Sequence, residues 1–266
     1  NRTGAALTVR TNTVDALIPG LGVRYDFNES LSVFGGVHRG FAPPAPGSTN
    51  QEPEDATNWE FGARYGRENW QVEAVGFFNG YDNLIGSCTN STGGGCTIGD
   101  QFDGGKVDVR GLELTGDADL GPLLGWSVSV PIRAAYTWTE AEFQTGFNSD
   151  YDPWGVVLAG DRVPAIPEHQ FFAAIGIDAG HFGGELAMSW VDEVRTFAGQ
   201  GAIPADERVE GHTVADLSAW YAVSEQVQTR ITVRNLTDEV YAVARQPAGL
   251  RPGAPRAVLL GLSVSF

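Results

Sequence analysis

The densest basic patch of this sequence lies near its end, where Arg245, Gln246, Arg251 and Arg256 fall within twelve residues. A guanidinium donates two parallel hydrogen bonds from a rigid fork, so arginines on loops suit planar carboxylates. His38 and Arg39 in "GVHRGF" make a second small patch, and Arg195 in "VDEVRTF" stands apart on a third segment. The chemistry these residues could do is recognition of an anion. Each also has a plainer use, since an arginine at the end of a strand can pair with a loop aspartate or with lipid phosphate, and Arg256 in "PGAPR" fits a purely structural part.

Covalent chemistry finds no support. The four histidines, His38, His169, His181 and His212, are scattered, and no nucleophile–base–orienter set or GxSxG elbow exists. An enzyme is therefore not expected. The acidic stretches "NSDYDPW" and "PADER" lack the ligand spacing of a calcium loop, and Gly93 to Gly95 precede no Lys-Ser/Thr pair and no helix. No metal and no cofactor is expected. Cys88 and Cys96 lie in the Gly/Ser/Thr-rich "SCTNSTGGGC" with no further Cys or His beside them. They are expected to close a small disulfide, which implies an oxidising compartment.

The chain has 266 residues and a formal net charge of −16. That balance argues against nucleic acid, whose phosphates require clustered Lys and Arg. Thirty-five glycines and 11% aromatics beside only 19% charged residues suit many strands and turns. No run of 18 apolar residues is present, so no helix is expected to span a membrane. The first residues lack a signal-peptide pattern, so the chain is expected to begin after processing or inside a longer protein.

Period-two alternation recurs throughout. Leu21, Val23, Tyr25 and Phe27 alternate with small or polar residues, as do Trp59, Phe61, Ala63 and Tyr65. The same pattern runs through Trp126 to Thr139, Phe171 to Ile177, Leu186 to Trp190, Val227 to Val233 and Val258 to Phe266. Eleven strands result, joined alternately by short turns and long loops, with aromatics at the strand ends. This is the pattern of a transmembrane antiparallel β-barrel, whose lipid face is apolar and whose backbone is fully paired. A soluble sandwich also alternates, but its strands seldom run as long as Trp126 to Thr139. By this count His181 lies on the opposite side of the membrane from the other three histidines. Arg110 shares parity with Leu112 and Leu114 and points outward.

Several segments together resemble the TonB-dependent outer-membrane receptors: "LSVFGGVHRGFAPPAPG", "FFNGYDNLIG", "GGKVDVRGLELTGDADLG" and "VRNLTDEVYAVA…PGAPRAVLLGLSVSF". The wording of "GVHRGFAPPAPG" and "PGAPR" is most similar to the ferric-citrate receptor branch. The resemblance implies an all-β fold, with about eleven strands seen here of a presumed 22-stranded plugged barrel. Residues 1–266 would be its C-terminal part, with the plug and N-terminal strands outside the sequence. It implies a multi-pass protein of the Gram-negative outer membrane that takes up a ferric chelate, ferric citrate or another ferric siderophore, energised by the TonB complex through the plug. Arg245, Gln246, Arg251, Arg256, His38, Arg39 and Arg195 would contact that ligand. Phe266, Val264 and Leu262 would be read by the barrel-assembly machinery before the barrel enters outer-membrane lipid. A passive porin or structural barrel is the competing reading.

Overall fold

In the computed structural model, residues 15–44, 53–88, 97–245 and 249–265 are described. Eleven strands form one antiparallel sheet in sequence order. They are β1 (Gly20–Asp26), β2 (Leu31–Ala42), β3 (Glu54–Arg67), β4 (Trp70–Tyr81), β5 (Val107–Asp119) and β6 (Pro131–Phe143). Then follow β7 (His169–Asp178), β8 (Phe182–Val191), β9 (His212–Ala222), β10 (Val227–Arg234) and β11 (Ala257–Val264). Among the described residues, no helix is long and apolar enough to cross a membrane.

The register keeps one parity on one face across the whole sheet. Tyr25 pairs with Val33, Val33 with Ala63, Ala63 with Ala74 and Ala74 with Leu114. The row continues through Tyr136 and Phe171 to Trp190. Leu260 and Phe61, on this face, are 81% and 67% exposed, far too open for a water-facing surface of such length. From Phe182 to Trp190 the outward face spans about 27 Å along the strand. At a tilt of about 40° that covers about 21 Å, close to the height of a lipid-facing band. The alternate residues face inward and are polar: Asn58, Asn79, Glu113, Thr137, Gln170, Asp216 and Arg230. Three glycines of the inner face lie under aromatic rings. A Cβ at Gly62, Gly111 or Gly183 would come within 2.6, 2.4 and 2.6 Å of Phe34, Phe77 and Trp220 respectively. These pairs stand directly opposite one another, so each ring fills the space that its missing Cβ leaves.

β1 and β11 are the sheet's edges, and both run from the long-loop side to the short-turn side. A second copy set against them would pair edge to edge in parallel. Antiparallel closure of this sheet takes an odd number of further strands.

One strand begins later than its alternation predicts. The pattern starts at Trp126, yet β6 starts at Pro131 and Leu120–Leu124 form a one-turn helix. The Asp119 carboxylate caps that helix at Gly121 N and also takes Val130 N and the Ser129 hydroxyl. Gly125, at φ 71°, closes its end. The segment between is thereby held as a turn.

The long loops are built, with a two-stranded ribbon in four of them: Ile85–Ser87 with Gln101–Asp103, Phe147–Asn148 with Val156–Val157, Val194–Arg195 with Arg208–Val209, and Ala242–Ala244 with Arg251–Pro252. The chief buried cluster also sits there. Val107, Phe143, Trp154 and Val157 are packed with Phe102, Phe147 and Tyr151. A barrel wall has lipid on one side and the lumen on the other, so a dry core forms where loops cover one another.

Candidate functional site

The loop side joins its segments with charge as well as apolar packing. Glu140, with its side chain 13% exposed, takes Arg110 at 2.5 Å and Arg162 at 2.9 Å. Arg162 also reaches Glu142 at 3.5 Å and Glu168 at 3.6 Å, and Trp138 Nε1 donates to Glu168 at 3.4 Å. Arg110 has the outward parity expected of it, and its charge is matched by Glu140 just past the aromatic level of Trp138. Two glutamates on the apolar parity, in "TWTEAEF", were a legible sign that the lipid band ends there. Arg162 itself was not singled out by the sequence, because two of its three partners, Glu140 and Glu142, come from a strand 20 or more residues back.

The arginines expected to bind ligand fall into distinct settings. Arg39 points outward and is held in a two-point pair by Asp55, with Nε to Oδ1 at 2.8 Å. His38 points inward, opposite Gly20 and Asn58. Arg256 grips the corner after β10, with Nη2 on Asp238 at 2.9 Å and Nη1 on the Leu236 carbonyl at 3.5 Å. Arg245 donates to the carbonyls of Arg208 and Ala205 at 2.5 and 3.0 Å. It thereby ties the last loop to the β8–β9 loop, beside a second tie in which His212 stacks on Tyr241 at 4.3 Å. Arg251 is exposed on the last ribbon, opposite Ala244. Gln246 lies outside the described residues.

Arg195 differs from all of these. It is only 6% exposed, and its guanidinium makes one hydrogen bond, from Nη2 to the Gly201 carbonyl at 2.9 Å, with no ion pair among the described residues. Burial pushes this guanidinium below its ordinary value and Arg162 nearby pushes the same way, while the carboxylates of Glu207 and Asp161 push it partly back. It lines a cavity of about 240 Å³ between the β6–β7 and β8–β9 loops, together with Thr139, Arg162, Glu168, Asp192 and Glu193. The structure therefore brings Arg195 and Arg245 to one loop assembly and leaves His38 and Arg39 at the other end of the sheet.

Cys88 is buried, 2% exposed, and is not a free thiol. Its expected partner Cys96 lies outside the described residues. Val264 and Leu262 face outward on β11, opposite Val227 and Thr229. Phe266 lies outside the described residues.

An open run of outward-apolar, inward-polar antiparallel strands with built loops on one side defines the wall of an outer-membrane-type β-barrel. Residues 1–236 match the family model "TonB dependent receptor-like, beta-barrel", and the chain belongs to that family. Members of the family are outer-membrane β-barrel proteins. Among solved structures, the chain is similar to the ferric citrate transporter FecA in its unliganded form, at 23% identity and a TM-score of 0.72. It is similar also to the ferric-catecholate import receptor Fiu from E. coli K12, at 21% identity and 0.69. The copper transporter OprC follows at 17% identity and 0.69. These likenesses cover 94%, 93% and 93% of this chain but only 38%, 34% and 39% of those chains. The chain thus spans little more than a third of their length, and the likeness concerns the fold.

Proposed function

We propose that this chain is the C-terminal part of the barrel of an outer-membrane receptor that captures a ferric chelate and passes it inward under TonB energy. The plug that would reach TonB belongs to the rest of the protein. Ferric citrate or another ferric siderophore is the cargo this reading favours. The observation that carries it is the arginine-bearing loop side: Arg195, Arg245 and Arg251 stand on the long loops of an otherwise acidic chain, where an anionic chelate would arrive. His38, on the inner wall, would meet the chelate below them, whereas Arg39 and Arg256 hold Asp55 and Asp238 and so serve the loops' shape. Gln246 stays with the ligand-contacting group. A Cys88–Cys96 bridge and the reading of Val264, Leu262 and Phe266 by the assembly machinery belong to the same proposal.

The test is uptake of radiolabelled iron by cells whose only ferric-citrate receptor is the full-length protein, with and without TonB. TonB-dependent accumulation supports the reading. Accumulation of small solutes that persists without TonB would mean a passive pore instead.

A further inference from the structure

One stretch of the outward wall, across β3 to β6, is hollow. Ala63 stands opposite Ala74, and one row nearer the short turns Gly116 stands opposite Ala134. These four small residues make a floor. It passes between a ridge of Tyr65 and Val72 and a second ridge of Leu114 and Tyr136, because large and small residues are offset between the two rows. The hollow has a volume of about 510 Å³ and an almost wholly apolar lining. Toward the loops it is closed by the Phe61 ring, which lies 3.0 Å from where a Cβ on Gly76 would stand. Toward the short turns, Tyr65 and Trp70 meet edge to face with ring centroids 5.3 Å apart, as aromatics do at headgroup level. Arg67 pairs directly opposite Trp70, on the same outward parity, and is exposed. Its guanidinium makes no ion pair and no hydrogen bond among the described residues. The other charges of these turns are Arg24, which is paired with Asp26 at 2.8 Å, Arg64, which is paired with Glu73 at 2.6 Å, and the carboxylates of Glu29 and Glu68.

We infer that this hollow is a phospholipid site: one acyl chain lies on its floor, the phosphate pairs with Arg67, and an amine beyond the phosphate faces Glu29 and Glu68. The outward face is already in lipid, so burying it against a protein gains nothing from the hydrophobic effect, and what decides the occupant is close packing. The outside of a barrel wall is convex. A second copy would touch the ridges and leave the floor without contacts, whereas a flexible chain follows the hollow and fills it. Charge argues for the headgroup. An arginine at the membrane surface attracts a lipid phosphate, but a headgroup that is only anionic would also meet two glutamates. A zwitterionic one with an ammonium satisfies both signs. The site is continuous with the lipid face that membership of the barrel family implies, and it holds whichever cargo the receptor carries.

The experiment is native mass spectrometry of the purified, delipidated full-length receptor after incubation with phosphatidylethanolamine, phosphatidylglycerol or diacylglycerol of the same chains. A phosphatidylethanolamine adduct is expected, with diacylglycerol and phosphatidylglycerol each held about fivefold more weakly, the worth of one charge contact at the membrane surface. Arg67→Gln is expected to weaken phosphatidylethanolamine by the same factor, about fivefold. Ala74→Phe, which puts a ring on the floor, is expected to weaken it about fivefold as well by taking the chain's contacts. Leu217→Phe, on the same face but outside the hollow, is expected to change nothing. Heat-modifiable gel mobility reports whether each variant is assembled, and should Ala74→Phe fail to assemble, Ala134→Phe decides. Equal retention of phosphatidylethanolamine in wild type, Arg67→Gln and the floor variant overturns the site, as does phosphatidylglycerol or diacylglycerol held as tightly as phosphatidylethanolamine. A receptor dimer that the floor variant dissolves would overturn it too, in favour of a second copy.

Discussion

Asn235 holds the corner between β10 and the last loop, and its removal should loosen that corner by a calculable amount. The residue is 2% exposed and sits at φ 49°, in the left-handed region. Its Nδ2 donates to the carbonyls of Glu239 and Ala254 at 2.9 and 3.0 Å, and its Oδ1 accepts from Glu239 N at 2.8 Å. Asn235→Ala deletes three side-chain hydrogen bonds, each worth about 1 kcal/mol net. It also places a Cβ without a local hydrogen bond at positive φ, which costs about 1 kcal/mol more. The sum is about 4 kcal/mol. Asn235→Gly loses the same bonds without the strain, about 3 kcal/mol. Because the corner can open without the barrel, hydrogen exchange at the Glu239 amide is the direct readout. In the membrane-embedded receptor its protection should fall about a thousandfold in Asn235→Ala and about a hundredfold in Asn235→Gly, provided the wild-type corner is stable enough to show the full drop. A loss below about tenfold in Asn235→Ala, or a glycine variant looser than the alanine one, would refute the account.

Glu140→Ala strips both Arg110 and Arg162 of their nearest carboxylate. It should cost about 2 kcal/mol in urea unfolding, below the figure for a fully buried pair, while Asp26→Asn at the exposed Arg24 pair should change little. In Gly253→Ala the new Cβ would meet the Tyr241 ring at 2.1 Å. The last loop should detach, seen as new protease cleavage between residues 241 and 256. His212→Phe keeps the stack on Tyr241 and removes a buried Nδ1 that has no partner among the described residues. Its melting temperature should equal or exceed that of the wild type, whereas His212→Ala should lower it. Burial pushes the Tyr151 phenol up from its ordinary 10.0. A raised value means the opened loop ionises first, so the Trp154 cluster keeps its full stability below pH 10.0 and loses it as pH rises further. Trp154 fluorescence should follow that loss, and Tyr151→Phe should diminish it.

Alternation is a local property, and so it was legible in the sequence. Leu21 to Phe27, Trp59 to Tyr65 and Val258 to Val264 carry their lipid face in the order of their side chains, because successive residues of a strand must point to opposite sides. The outward parity of Arg110 followed from the same rule. The late start of β6 did not, since Trp126 and Val128 alternate correctly and are held out of the sheet by the carboxylate of Asp119, a contact eleven residues long at its farthest. The arginines show the division most sharply. Composition could say that guanidinium forks were concentrated near Arg245 to Arg256, and chemistry could say what forks bind. Which forks are free depends on neighbours far along the chain: Arg256 meets Asp238, Arg39 meets Asp55, and Arg245 meets a carbonyl 37 residues away. Arg195 makes no direct ion pair among the described residues, and Glu207 and Asp161 act on it only through space, because the loops around it are carried together by strands far apart in sequence. Periodicity is written residue by residue, but the pairing of charges is decided by which loops the strands carry to the same rim.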